Sequence, residues 1–185
     1  MRMPVIIPNL ITGARLLSVP LIVWLILAGH LTTAFWLFVA AGVSDGIDGA
    51  LARSFRARTK LGGILDPAAD KALLVAVYIA LSVADLVPDW LVYLIVGRDI
   101  LIVSGVGILT LMKERLAMQP LAISKLNTFA QLAFAALVLA VNGPGFGSPD
   151  WIEPAVWVVG TTTALSLILY VSRGIMILRT RGEAR

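Results

Sequence analysis

The chain has 185 residues, 59% of them hydrophobic and 14% charged, with a mean hydropathy of +0.93; average soluble domains carry about 25% charged residues, and one this short has too little interior to hide so much apolar surface. Lipid is therefore the expected solvent, and the net charge of +4 points to basic cytoplasmic loops rather than to nucleic acid. The absence of cysteine excludes a disulfide framework and a zinc–thiolate site.

At the N-terminus Arg2 is followed by Pro4, Pro8 and Asn9 and then by a long apolar run, so no separate cleavable signal is expected. A spanning helix needs about 20 largely apolar residues. On that criterion, spans fall near 10–29, 32–53, 66–84, 88–112, 121–142 and 151–174. The connections around His30, over 85–89 and over 142–154 contain no Lys or Arg. The others hold Arg56, Arg58 and Lys60, then Lys113 and Arg115, and the tail holds Arg179, Arg181 and Arg185. Basic residues collect on the cytoplasmic side. The expectation is one all-α integral membrane domain over 1–185, with six transmembrane helices and both termini cytoplasmic. It would lie in the cell's inner (cytoplasmic) membrane.

Ionisable groups within spans are costly and mark function. Here they are Arg15, Asp45, Asp48, Arg53, Asp66, Asp70, Lys71, Arg98, Asp99, Lys125 and Arg173. In the expected topology, outward-running spans carry them near the start and inward-running spans near the end, with Arg98 and Asp99 deeper. They converge on the cytoplasmic half. A transporter or channel would instead require charge reaching both faces.

Asp45 and Asp48 stand three apart, and Asp66 and Asp70 four apart. Each spacing puts a pair on one helical face. Antiparallel neighbours would bring the pairs to one depth, where four carboxylates repel one another unless cations are present. Hard divalent ions, Mg²⁺ or Mn²⁺, suit carboxylate oxygens, and two could clamp a phosphate or pyrophosphate. The competing reading is that Asp45–Arg53 and Asp70–Lys71 are supporting salt bridges. Gly46, Gly49, Ala50 and Ala52 leave a groove for close helix packing or for a ligand. Arg53 is placed for a phosphate. Gly62 and Gly63 allow an unusual turn before Asp66, and Pro67 suits a first helical turn.

Residues 45–70 read DGIDGALARSFRARTKLGGILDPAAD. This resembles the signature of the CDP-alcohol phosphatidyltransferase family, D-x2-D-G-x2-A-R-x8-G-x3-D-x3-D, at every fixed position and spacing. The resemblance implies that Asp45, Asp48, Asp66 and Asp70 bind two divalent cations. It also implies that Gly49, Ala52, Arg53 and Gly62 shape a CDP site, and that Asp70 is the base for the acceptor hydroxyl. The opening PNLITGARLL is similar to the family's N-terminal segment, which brings Asn9, Thr12 and Arg15 to the nucleotide. The donor implied is CDP-diacylglycerol, and a homodimer is implied by the resemblance alone.

The stretches SVADLVP at 82–88, GRDILIVSG at 97–105 and ISKLNTFAQ at 123–131 look most like the CMP-forming cardiolipin synthases, whose acceptor is phosphatidylglycerol. Phosphatidylglycerophosphate synthases, which use glycerol 3-phosphate, are similar. Arg98, Arg115 and Lys125 are candidates to hold the acceptor's phosphate; the alternative for Arg98 is an ion pair with Asp99 or across to another helix. His30 falls in an external loop, so metal and Asp70 carry the expected chemistry, by direct attack or through a covalent intermediate.

Overall fold

The computed structural model describes the backbone of residues 6–55, 62–111 and 122–183, and the side-chain surroundings of 17–44, 71–105 and 123–176. Six α-helices fill the described residues: α1 Ile6–Leu27, α2 Leu31–Phe55, α3 Gly62–Val83, α4 Asp89–Leu111, α5 Ala122–Asn142 and α6 Ile152–Glu183. A 3-10 turn, Pro149–Trp151, leads into α6. The described residues contain no strand.

Local chemistry ends these helices sharply at one end of the bundle. Gly29 takes φ +77°. Its N–H donates to the Ile26 carbonyl at 3.0 Å, and the His30 N–H donates to Leu25 at 2.8 Å. These paired bonds close a helix on a left-handed residue. α3 ends the same way around Asp85, at φ 55°, with Asp85 N–H to Ser82 O and Leu86 N–H to Leu81 O, both 2.9 Å. Aspartate enters this region more readily than most side chains. The Ser82 hydroxyl then donates to the Asp89 carboxylate, tying the end of α3 to the start of α4.

Contacts between helices run in a closed circuit: α2 against α1, α1 against α3, α3 against α4, α4 against α6, α6 against α5, and α5 back against α2. α3 and α5 also touch across the middle. α1 and α5 therefore each hold both α2 and α3. The shared core includes Ile22, Ile26, Phe38, Val77, Tyr78, Leu81, Leu91, Ile95, Val138 and Leu139.

Many large apolar side chains point outward among the described residues. Leu17, Trp24, Tyr93, Ile100, Val103, Phe129, Trp157, Ile168 and Met176 are all exposed. So much exposed apolar surface is costly in water and ordinary in lipid. All five tryptophans lie within two turns of the loops at 28–30, 84–88 and 143–151, where Trp90 meets Trp157 at 5.5 Å and Trp36 meets Phe146 at 6.2 Å. Tryptophan favours the membrane–water boundary. Among the described residues, Ile123–Asn142 and Pro149–Met176 are long and apolar enough to cross a membrane; shorter apolar runs occupy Leu17–Leu27, Leu31–Ser44 and Lys71–Val83.

The helices overrun the expected spans. α6 has 32 residues, about 48 Å at 1.5 Å per residue, against a hydrocarbon core of about 30 Å. α3 begins at Gly62 rather than near 66, so Gly62 and Gly63 form its first turn instead of a turn before Asp66, and Pro67 sits beyond it. The apolar length criterion marks hydrocarbon thickness, whereas helices continue wherever backbone hydrogen bonds can be kept.

Candidate functional site

On two helices the aspartates fall on the register of a buried stripe. On α2, Ala34 and Phe38 are buried and Ala41 packs on the core, and Asp45 and Asp48 occupy the next positions of the same stripe. On α3, Leu81, Val77 and the pair Leu74 and Leu73 are buried, and Asp70 and Asp66 continue that stripe toward the helix start. The side chains of Asp45, Asp48, Gly49, Ala52 and Arg53 on α2 lie outside the described residues, as do those of Gly62, Asp66 and Asp70 on α3 and Asn9, Thr12 and Arg15 on α1. Arg115 lies outside them altogether.

Beginning at Lys71, the residue after Asp70, a charged knot joins four helices. Arg98 is 2% exposed, and its Nη1 and the Lys71 Nζ both sit 2.6 Å from the same Asp99 oxygen, Oδ1. Arg98 Nη2 donates to Ser124 Oγ on α5 at 2.8 Å and to Ser166 Oγ on α6 at 2.7 Å. Its Nε finds no acceptor among the described residues. A buried charge survives only when paired and hydrogen-bonded, and Arg98 meets most of that requirement. Among the described residues, two cations share this one carboxylate.

The expected alternative for Arg98, an ion pair with Asp99, is therefore present, and both its terminal nitrogens are engaged. Lys71 pairs with Asp99 on the neighbouring helix. Ser124, which Arg98 holds, directly precedes Lys125, which is exposed on the first turn of α5.

A second polar layer, not anticipated from the sequence, lies between α3, α5 and α6. Thr162 and Thr163 hydroxyls donate to Asn127 Oδ1 at 3.0 and 2.8 Å. Gln131 Nε2 donates to Thr163 at 3.3 Å, and the Tyr78 hydroxyl donates to the Gln131 carbonyl at 2.9 Å. Asn127 Nδ2, fully buried, has no acceptor among the described residues. The available signal was spacing: Ser124, Asn127 and Gln131 share one face of α5, and Thr163 and Ser166 share one of α6.

The CDP-alcohol phosphatidyltransferase family model matches residues 5–177. The chain is 33% identical over 187 residues to a CMP-forming cardiolipin synthase of Rattus norvegicus, covering 92% of this chain and 62% of the rat protein. It is 34% identical over 186 residues to chloroplastic CDP-diacylglycerol–glycerol-3-phosphate 3-phosphatidyltransferase 1 of Oryza sativa, covering 89% and 55%. A CDP-diacylglycerol–glycerol-3-phosphate 3-phosphatidyltransferase of Bacillus subtilis is 32% identical over 197 residues, covering 94% of this chain and 97% of that protein. The chain thus spans less than two thirds of the rat and rice proteins.

Proposed function

We propose, from the premise that this chain belongs to the CDP-alcohol phosphatidyltransferase family, that it transfers a phosphatidyl group from CDP-diacylglycerol to an alcohol and releases CMP. The preferred acceptor is phosphatidylglycerol, and the product cardiolipin. The observation that carries the reading is the intact aspartate signature over 45–70, each pair in helical register with buried residues of α2 or α3. The protein is one six-span domain over 1–185 in the inner membrane, with both termini and the site cytoplasmic. The loops at Arg56–Lys60 and Lys113–Arg115 support that orientation, because cytoplasmic loops collect Lys and Arg.

Asp45, Asp48, Asp66 and Asp70 would hold two divalent cations; four carboxylates brought to one site fit hard ions and repel one another without them. Ions held there would supply the positive charge that offsets the pyrophosphate and the departing CMP. Asn9, Thr12 and Arg15 on α1, with Gly49, Ala52, Arg53 and Gly62, cradle the nucleotide, Arg53 meeting phosphate oxygens with its planar fork. Asp70 accepts the proton of the attacking hydroxyl. Lys125 and Arg115 receive the acceptor's phosphate, and Arg98 holds the Ser124–Lys125 turn in place. The protein works as a homodimer.

A second reading keeps the donor and site but takes glycerol 3-phosphate as acceptor; the names of the rice and Bacillus relatives favour it. Purified protein with CDP-diacylglycerol, Mg²⁺ or Mn²⁺, and each alcohol separately decides. Cardiolipin with CMP from phosphatidylglycerol is expected. Rapid phosphatidylglycerophosphate synthesis with no cardiolipin would overturn the acceptor and keep the family chemistry.

A further inference from the structure

We infer that the Asn127 side-chain amide binds an ester carbonyl of the lipid donor and so makes the enzyme select diacyl over dialkyl donors. The inference rests on the proposed use of CDP-diacylglycerol and adds a residue at the lipid end of that substrate.

The polar layer between α3, α5 and α6 fixes how the amide is turned. Gln131 Nε2 donates to the Thr163 hydroxyl at 3.3 Å, so the proton of that hydroxyl goes on to Asn127 Oδ1, 2.8 Å away. The Thr162 hydroxyl donates to the same oxygen at 3.0 Å. The oxygen end of the amide therefore faces α6. Its nitrogen end is turned from α6, and the other helices that pack on α5 are α2 and α3, which carry the aspartates. Asn127 is 0% exposed, yet Nδ2 has no hydrogen-bond partner among the described residues. An unpaired buried donor is costly, and a layer serving packing alone would close its bonds.

Depth decides which oxygen can reach that donor. The Tyr78 hydroxyl meets the Gln131 carbonyl, 53 residues along the chain. Lys71 and Arg98 share Asp99, and Arg98 holds Ser124, which sets Lys71 level with Ser124 at the same separation. α3 and α5 therefore run parallel and in step, and Asn127 stands level with Leu74. That is one turn of α3 beyond Asp70, roughly 5 Å farther toward the membrane centre.

In the proposed reaction the phosphates occupy the level of the aspartates. On the lipid side of those phosphates, CDP-diacylglycerol offers only the oxygens of its two glycerol esters, and the carbonyls are their strong hydrogen-bond acceptors. The amide is neutral, as a carbonyl is. A phosphate would call for a cation, and Arg98, which holds Ser124 one turn away, is already paired with Asp99. A dialkyl lipid has the same chains and phosphates but no carbonyl.

The test compares CDP-diacylglycerol with a dialkyl analogue of equal chain length, each as sole donor to the full chain in detergent micelles with Mg²⁺. CMP release is measured with phosphatidylglycerol and with glycerol 3-phosphate in separate arms. The diacyl donor is expected to give a kcat/KM about ten-fold higher, as one bond to an otherwise unpaired donor warrants. Asn127→Leu should bring the two donors level. So should Asn127→Asp, which keeps an oxygen for Thr162 and Thr163 and removes the N–H. A residue that only packs α5 would slow both donors alike and leave their ratio unchanged. The parent comparison stands if either variant fails to fold. Equal rates with both donors in the parent would overturn the inference, as would a ratio that survives in a folded variant. A parent indifferent to the donor's linkage but slowed by dialkyl phosphatidylglycerol would also overturn it, by moving the carbonyl to the alcohol. No CMP from either donor in any arm would overturn the proposed reaction, and this inference with it.

Discussion

Lys71 Nζ lies 2.6 Å from Asp99 Oδ1, one residue beyond Asp70, so the turn of α3 that bears the proposed base is pinned to α4. Because Arg98 reaches the same oxygen, Asp99 is the one carboxylate that two cations share among the described residues. Asp99→Asn should therefore cost more than removing either partner's charge alone. Breaking a buried pair costs about 3–5 kcal/mol, whereas Lys71→Gln, at a half-exposed position, should cost about 1 kcal/mol or less. Thermal unfolding in detergent checks the order; equal melting temperatures for the two variants would mean that Asp99 is not the hub.

The carboxylates should act through metal. Asp66→Asn and Asp70→Asn are each expected to lower CMP release by about 10³-fold, the scale of several kcal/mol of lost charge stabilisation. Both variants should remain folded and membrane-inserted, since hard cations rather than packing require those groups. Chelation with EDTA should abolish activity, and Mg²⁺ or Mn²⁺ should restore it. Undiminished turnover in EDTA would refute the metal role.

Topology is open to a clean experiment because the chain has no cysteine of its own. Ser148→Cys, in the loop before α6, should react with an impermeant maleimide in intact cells. Ser54→Cys, near the end of α2, should react only after the membrane is opened. The reverse pattern would invert the molecule and move the aspartates to the outer face.

Glycine positions separate close approach from open space. At Gly143 a Cβ would lie 2.7 Å from the Leu31 backbone and from the Leu139 carbonyl oxygen. Backbone cannot swing aside, so Gly143→Ala should destabilise by about 1–3 kcal/mol, the usual cost of overpacking. At Gly42 a Cβ meets nothing within 4 Å, and alanine favours helix over glycine by about 1 kcal/mol. Gly42→Ala should therefore match or exceed the parent in melting temperature. A Gly143→Ala protein as stable as the parent would place α5 further from α2.

Much was determined by the sequence alone. Composition required an apolar solvent, the apolar runs located all six helices, and the spacings within 45–70 put each aspartate pair on one face while matching a family signature that the family model over 5–177 bears out. These features are local: helical periodicity and a motif on two consecutive helices need no knowledge of what packs where. Helix ends were less legible, because α3 starting at Gly62 and α6 running to Glu183 depend on backbone hydrogen bonding, which continues past the apolar stretch. The partners of the buried polar groups were decided only by tertiary structure. Arg98 and Asp99 are adjacent in the chain and could be paired on paper, but Ser124 and Ser166 are 26 and 68 residues from Arg98. Lys71 had an equally plausible neighbour in Asp70, and its pairing with Asp99 follows from α3 lying against α4. A buried polar atom takes whichever partner the packing brings within about 3 Å, and that distance is a property of the assembled helices rather than of any one of them.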